Sequence, residues 1–382
     1  MRTDWTIQPF DDAVEICDSL RKPVNRRERA YRIAGKDKSQ LYPYYGATGK
    51  AGYIDQYISD GEYVLLGEDG APFLNPCAKK AYIISGKAWV NNHAHVLRSK
   101  TNNKFLCYYL NSIDYTPYVS GTTRLKLTQT QMRRIFIPVP PLSEQERIVA
   151  RIEELFSELD KAVETLQTTK RQLEVYRQAV LKEVFGTVTQ YVPLGTVSES
   201  RLGKMLDKKK NIGTYRQYLR NQNVRWFSID ESDLLEMRFE DKELEKYSLK
   251  AGDLVICEGG EPGRCAVWDK DESICYQKAL HRVRFYRGAN PKLYMYYFWF
   301  LAQTGELGSY YTGTGINHLT GESLVKVCVP DIEVEQQTRL VEIIESRLSV
   351  CDSIEQTVDT ALSQADALRQ SILKEAFEGR LA

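Results

Sequence analysis

Side chains of the kinds that bond nucleic-acid bases crowd one stretch of this chain: Lys208, Lys209, Lys210, Arg216, Gln217, Tyr218, Arg220, Asn221, Gln222, Asn223, Arg225 and Trp226. Arginine and lysine donors suit guanine edges and phosphates, and asparagine or glutamine can bond adenine through two atoms at once. The same run would also serve as a solvated basic loop. A sparser set of the same types, Lys36, Lys38, Lys50, Asn91, Asn92, Arg124 and Lys126, lies in the first third of the chain. Two glycine-bearing loops, GTTRLK from Gly121 and GTGINH from Gly313, the second carrying Asn317 and His318, could lie against a polyanion backbone. As turns of the fold they would need no ligand.

Catalytic patterns are weaker. The stretch Gly46 to Lys50 lacks the spacing and the following hydroxyl of a phosphate-cradling loop, and Gly313-Thr-Gly315 opens no helix. His93 and His95 share one face of a strand, where a metal could sit, but no carboxylate is near in sequence. A polar strand with one buried histidine is the plainer reading, and no metal site is expected. Asp253, Glu258 and Glu261 keep open an enzyme, a nuclease or methyltransferase with its catalytic group in a loop. Eight cysteines without a CxxC pair read as buried free thiols in a reducing compartment.

These residues are positioned by a duplication. Ile148, Ile152, Leu155, Leu159, Ala162, Leu166, Thr169, Leu173, Tyr176 and Val180 recur in steps of four and three, a seam of period 3.5 that asks for a partner helix. Adding 192 to each position lands on Leu340, Ile344, Arg347, Cys351, Ile354, Val358, Ala361, Ala365, Leu368 and Ile372, with one break, at Arg347. Polar residues match at the same offset, among them Asp160 with Asp352 and Arg177 with Arg369, which an amphipathic face alone does not require. The loop segments match too, Gly121 with Gly313 and Leu127 with Leu319. Each unit of about 192 residues ends in a long helix, and two like seams bury most simply against each other. Ser143, with Glu146 three residues on, predicts the start of the first helix.

Within the globular parts, Tyr63–Leu66 and Ala81–Ile84 read as strands and Phe105–Asn111 as a short helix. GEYVLL from Gly61 is matched by GDLVIC from Gly252, and FLCYYLNS by the tyrosine-rich run around Tyr297.

With 42% hydrophobic and 27% charged residues, neither a disordered nor a fibrous protein is indicated. No apolar run approaches the roughly 20 residues of a membrane span, and the N-terminus has no apolar signal core, so a cytoplasmic protein is expected. Charge is divided by region. Residues 1–142 carry 20 Lys plus Arg against 13 Asp plus Glu, whereas residues 331–382 carry 5 against 11. A polyanion would be steered to the globular parts and away from the helices, which argues against a coiled-coil interaction protein that binds no nucleic acid.

The segments PPLSEQERIVARIEELFSELD from Pro140 and LKEVFG from Leu181, their copies EQQTRLVEIIE from Glu335 and LKEAFEGRLA from Leu373, and YYGATGKAGYIDQYISDGEYVLLGEDGA from Tyr44 resemble the specificity subunit of Type I restriction-modification systems, over essentially the full chain. That resemblance implies an α+β architecture: two similar mixed target recognition domains, residues 1–142 and 189–330, joined and separated by long helices at 143–188 and 331–382. The helices would form an antiparallel coiled coil with pseudo-twofold symmetry. It implies double-stranded DNA as ligand, each domain reading one half of a split site. It also implies as partners two modification subunits that methylate adenine with S-adenosylmethionine, and restriction subunits that cut and translocate. No NPPY-like tetrapeptide occurs, in keeping with an accessory role and no cofactor of its own. A helix from Ser143 to Phe185 would span about 65 Å, more than the roughly 34 Å of one DNA turn, and would act as a ruler between half-sites.

Overall fold

The computed structural model describes residues 5–207 and 209–381. Helices of eight residues or more are α1 (Arg26–Ile33), α2 (Asn103–Ser112), α3 (Leu142–Phe185), α4 (Pro291–Thr304) and α5 (Val334–Phe377). The chain divides into two compact units. The first takes residues up to Thr168 together with Val358 onward, and the second takes Thr169–Thr357. Each unit therefore holds one globular head, part of α3 and part of α5.

In the first unit a four-stranded antiparallel sheet has the order Val14–Ile16, Ala94–Ser99, Tyr63–Gly67, Ala81–Ile84. Strand Tyr63–Gly67 is buried throughout because its alternate side chains feed two cores. Val64 and Leu66 pack with Phe105 and Leu106 of α2, whereas Tyr63 and Leu65 pack with Cys17, Val90 and Val96. A second sheet sets Gly49–Ile54, Tyr42–Gly46, Lys87–Val90 and Ser59–Asp60 side by side. Thr6–Pro9 pairs with Phe136–Val139, and this ribbon leads into α3. Asn102 caps α2 by accepting from the Phe105 amide at 3.0 Å.

The second unit repeats the plan. Ser198–Leu202, Leu280–Phe285, Asp253–Cys257 and Cys265–Trp268 form the four-stranded sheet, and Tyr191–Pro193 pairs with Cys328–Pro330 before α5. Leu254 and Ile256 face α4, while Val255 and Cys257 face a core with Trp268 and Tyr276. Strand register corrects one detail of the repeat. Val64 opposes Leu97 as Leu254 opposes Val283, and Glu68 and Glu258 each accept from a leucine amide, Leu127 and Leu319, at 2.7 Å. Here the structural offset is 190, one less than aligning Gly61 with Gly252 gives, and a slip of one residue would turn every side chain to the wrong face.

The two long helices run antiparallel within each unit. In the first, Ile148, Val149 and Ile152 of α3 share a core with Ile372, Leu373, Ala376 and Phe377 of α5. In the second, Leu181, Val184 and Phe185 share one with Val341, Ile344 and Leu348. The aromatic at each helix end plugs into a head: Phe377 lies 5.2 Å from Phe105, and Phe185 lies 5.0 Å from Tyr297, ring centre to ring centre. The break in the seam at Arg347 is resolved by charge, because its guanidinium turns to Glu183 at 2.7 Å instead of entering the core. Only part of the seam is buried. Every seventh residue from Ile344 to Ile372 lies inside or nearly so, but Tyr176, Ile354 and Leu368 are 40–50% exposed, since a two-helix contact covers a narrow stripe. Helix α3 starts at Leu142, one residue before the predicted cap, with the Pro141 carbonyl accepting from Glu144 and Gln145. Among the described residues no helix is long and apolar enough to cross a membrane.

Candidate nucleic-acid interface

The two glycine loops are one device built twice. Ser120 and Lys126 exchange both backbone hydrogen bonds, at 3.0 and 2.8 Å, as Thr312 and His318 do at 2.8 and 2.9 Å. Gly121 and Gly313 sit at φ +101° and +110°, and a Cβ there would fall 2.5 Å from the Arg124 carbonyl oxygen and 2.3 Å from that of Ile316. The fold alone thus requires the glycines. The residues they carry, including Arg124, Asn317 and His318, remain exposed.

In the first head, acids of the neighbouring loop hold the candidate cations. Lys126 reaches Glu68 at 3.1 Å, and Arg124 reaches Asp69 at 2.8 Å. Burial pulls the Glu68 carboxyl up, but Arg21 and Lys126 outweigh it and hold the group below its usual range. Asp18 behaves alike: burial opposes ionisation, and His95, the Val96 amide and Arg21 together win. His95 is fully buried, 2.8 Å from Asp18 and 2.9 Å from the Leu127 carbonyl, so it is a framework residue; His93 sits half-buried against Asp69 at 2.6 Å. Lys36 pairs with Asp55 at 2.8 Å, and Lys50 lies 3.8 Å from the Tyr53 ring centre. Lys38 and Asn92 are exposed. Asn91 is buried, accepting from the His93 amide at 2.8 Å, so it shapes the strand end and does not face solvent.

The basic run of the second head is brought only partly together. Lys209 and Lys210 are exposed in a turn fixed by the Asp207 carboxylate, and Lys208 lies outside the described residues. Arg225 is exposed. Arg216 pairs with Asp241 at 3.1 Å, Arg220 with Asp233 at 2.8 Å, and Gln222 with the same Asp233 at 2.8 Å. Three candidates are engaged within the head. Tyr218 is buried because it falls on the inward face of strand Thr214–Leu219. Asn223 is buried, donating to the Asp230 carbonyl at 2.9 Å and accepting from the Arg220 amide at 2.8 Å. Asn221 donates to the Gly259 carbonyl and accepts from Arg264 at 2.7 Å. Further exposed side chains of the same kinds lie beyond the candidates: Tyr215, 58% exposed with the Arg238 guanidinium 4.9 Å from its ring centre, and Tyr31, Arg26 and Arg27 of α1. Strand alternation would have found Tyr215, and helical spacing the rest.

The acids that kept an enzyme open do not converge. Asp253 is buried and held by Arg284 through two bonds of 2.7 and 2.6 Å, while Glu261 takes Arg264 at 2.8 Å and the Trp226 indole at 2.6 Å. Glu258 contributes its backbone to the Leu319 amide. The cysteines are all free thiols, but two, Cys77 and Cys328, are exposed, Cys77 in a turn and Cys328 at the first position of the strand Cys328–Pro330.

Residues 15–174 match the family described as the Type I restriction modification DNA specificity domain. A putative type I restriction enzyme specificity subunit of Haemophilus influenzae is 29% identical over 95% of this chain and 92% of its own length. The EcoKI specificity subunit of Escherichia coli K12 is 27% identical over 65% of this chain and 58% of its own. Among solved structures, a chain from work on complex assembly and conformational transition of the type I R-M system superposes with a TM-score of 0.75 at 17% identity, covering 100% of this chain and 99% of that one. The HsdS subunit from Thermoanaerobacter tengcongensis gives 0.54 at 16%, covering 100% and 98%. These two likenesses speak to the fold.

Proposed function

We propose that this chain, which is similar to the Type I restriction enzyme specificity subunits, is the sequence-specific DNA-recognition subunit of such a complex, each head reading one half of a bipartite site. One observation carries the reading: the same head framework is built twice, down to the turns at Gly121 and Gly313, while the exposed loops hung on it differ in sequence. A duplicated scaffold with divergent loops suits two different words in one chemical language, and the basic balance of the first head suits a polyanion.

In this reading the chain supplies recognition and scaffold, and carries no catalytic group of its own. Modification subunits, one for each unit, bring S-adenosylmethionine and methylate the DNA, and restriction subunits complete the complex. Apolar side chains left open on the helices of the second unit, Val175, Tyr176, Val350 and Ile354, are a surface that a partner would cover. The long helices set the number of unread base pairs between half-sites.

The test is assembly of the full chain with its modification subunits, followed by mapping of methylated adenines and by gel shifts across a range of salt. A single bipartite methylated sequence is expected, with binding that weakens as salt rises. Exchanging residues 1–142 for those of another member should change one half-site alone. Methylation by this chain without modification subunits, or a change in both half-sites on exchange, would overturn the reading.

A further inference from the structure

Helix α1 is attached in an unusual way. None of its eight residues is buried, so no apolar face anchors it. Its cations do so instead: the Arg29 guanidinium lies 4.6 Å from the Tyr44 ring centre and donates to the Ala51 carbonyl at 3.1 Å. One turn on, Arg32 lies 4.7 Å from the Trp89 ring centre and donates to Asp55 at 2.7 Å and Gln56 at 3.0 Å. Asn25 caps the helix through the Glu28 amide at 2.8 Å. The opposite face presents Arg26, Arg27, Ala30 and Tyr31, all exposed, with Tyr31 at 84%. Among the described residues Arg26 and Arg27 have no ion-pair partner, because the one acid on the helix, Glu28, lies by Arg32.

Residues 21–39 hold eight basic side chains against two acidic ones. A bare tyrosine one turn from two unpaired arginines, on a helix whose own fastening consumes the nearby acids, complements an anionic groove and disfavours a cationic partner. The major groove of DNA, about 12 Å wide, admits an α-helix. Arg27 and Tyr31 are one turn apart on that face. We propose that α1 is the element of the first head that enters the major groove, with Arg27 and Tyr31 at base edges and Arg26, Lys36 and Lys38 toward phosphates. This rests on the DNA-reading function above.

The test uses the full chain assembled with modification subunits, and duplexes selected by that wild-type complex from a randomised library, then scrambled at one half-site or the other. Arg27→Ala and Tyr31→Ala are each expected to cut discrimination at one half-site by roughly tenfold and to leave the other intact. Arg27→Lys keeps the charge but loses the planar fork, and should fall as far as Arg27→Ala. All three variants replace exposed side chains, so melting temperature should not move. Rescue by Arg27→Lys, or a uniform loss of affinity on every duplex with both ratios preserved, would overturn the groove assignment while leaving the subunit a DNA reader. A wild-type complex with no discrimination at all would instead remove the function itself, and this assignment with it.

Discussion

Arg177 of α3 reaches Asp352 of α5 at 2.7 Å, and 192 residues on the same pair recurs in the other unit as Arg369 with Asp160. Two polar identities that amphipathicity does not demand are thus one interhelical ion pair made twice. Arg177 also takes Glu355 at 2.8 Å. Each pair fixes the antiparallel register of the stretch of coil in its own unit, where small side chains such as Ala162 and Ala361 give apolar packing little to grip.

Breaking such a pair should cost little free energy, because Asp352 and Asp160 are largely exposed. Arg177→Ala and Arg369→Ala are each expected to lose about 1 kcal/mol or less. A double-mutant cycle of Arg177→Ala with Asp352→Ala in denaturant unfolding measures the coupling, and a value near zero would show that the pair is ornamental.

The plugs at the helix ends are a different matter. Phe185→Ala and Phe377→Ala each empty a buried aromatic site, and a loss of about 3–5 kcal/mol is expected. Hydrogen exchange distinguishes them: Phe377→Ala should loosen the amides of α2 in the first head, and Phe185→Ala those of α4 in the second. Loosening in the same head by both variants would contradict the packing described.

Gly121→Ala and Gly313→Ala should each destabilise by at least about 1–2 kcal/mol, the ordinary cost of left-handed backbone for an L-residue, with the carbonyl clash in addition. Measured in the assembled complex, each change should weaken recognition of one half-site only.

His281 is buried, its Nε2 bonded to the Leu319 carbonyl at 3.0 Å, and burial pushes the imidazolium down to about 4 from an ordinary 6.5. The folded chain therefore keeps it neutral while the unfolded chain protonates it. Its contribution is fully present above about 6.5 and is lost as pH falls toward 4, amounting to about 3 kcal/mol at most. Unfolding of His281→Gln, which retains a donor, should show a flatter acid limb than wild type between those values. Parallel limbs would refute the assignment.

The duplication, the long helices and the glycine turns were legible because each is written locally, in period, in offset and in residues that only one backbone conformation accommodates. The break at Arg347 was visible too, although its acceptor Glu183 was not. The base-reading residues were far less legible. Whether a cation is free depends on acids distant in sequence, as Lys126 with Glu68 and Arg220 with Asp233 show. Whether an aromatic is offered or buried depends on strand parity, which separates Tyr215 from Tyr218. Nothing in their residue type marks Gln145 and Gln337 as buried. Each ties the start of a long helix to its head, Gln145 through Thr101 at 3.0 Å and Gln337 through the Asn290 amide at 2.8 Å.

The seat of Phe377 in the first head also sets a timetable for synthesis. The amino-terminal head, residues 1–142, leaves the ribosome lacking the wedge that closes it, and roughly 235 more residues must be translated before Phe377 is made, a wait of about 12–47 s at ordinary elongation rates. During that interval Phe105 and Tyr109 lack the ring that packs against both of them. A nascent polypeptide stalled or cut short before its last turn of helix would expose this apolar notch to chaperones and proteases, whereas the later-made head already has Phe185 in hand when its α4 emerges.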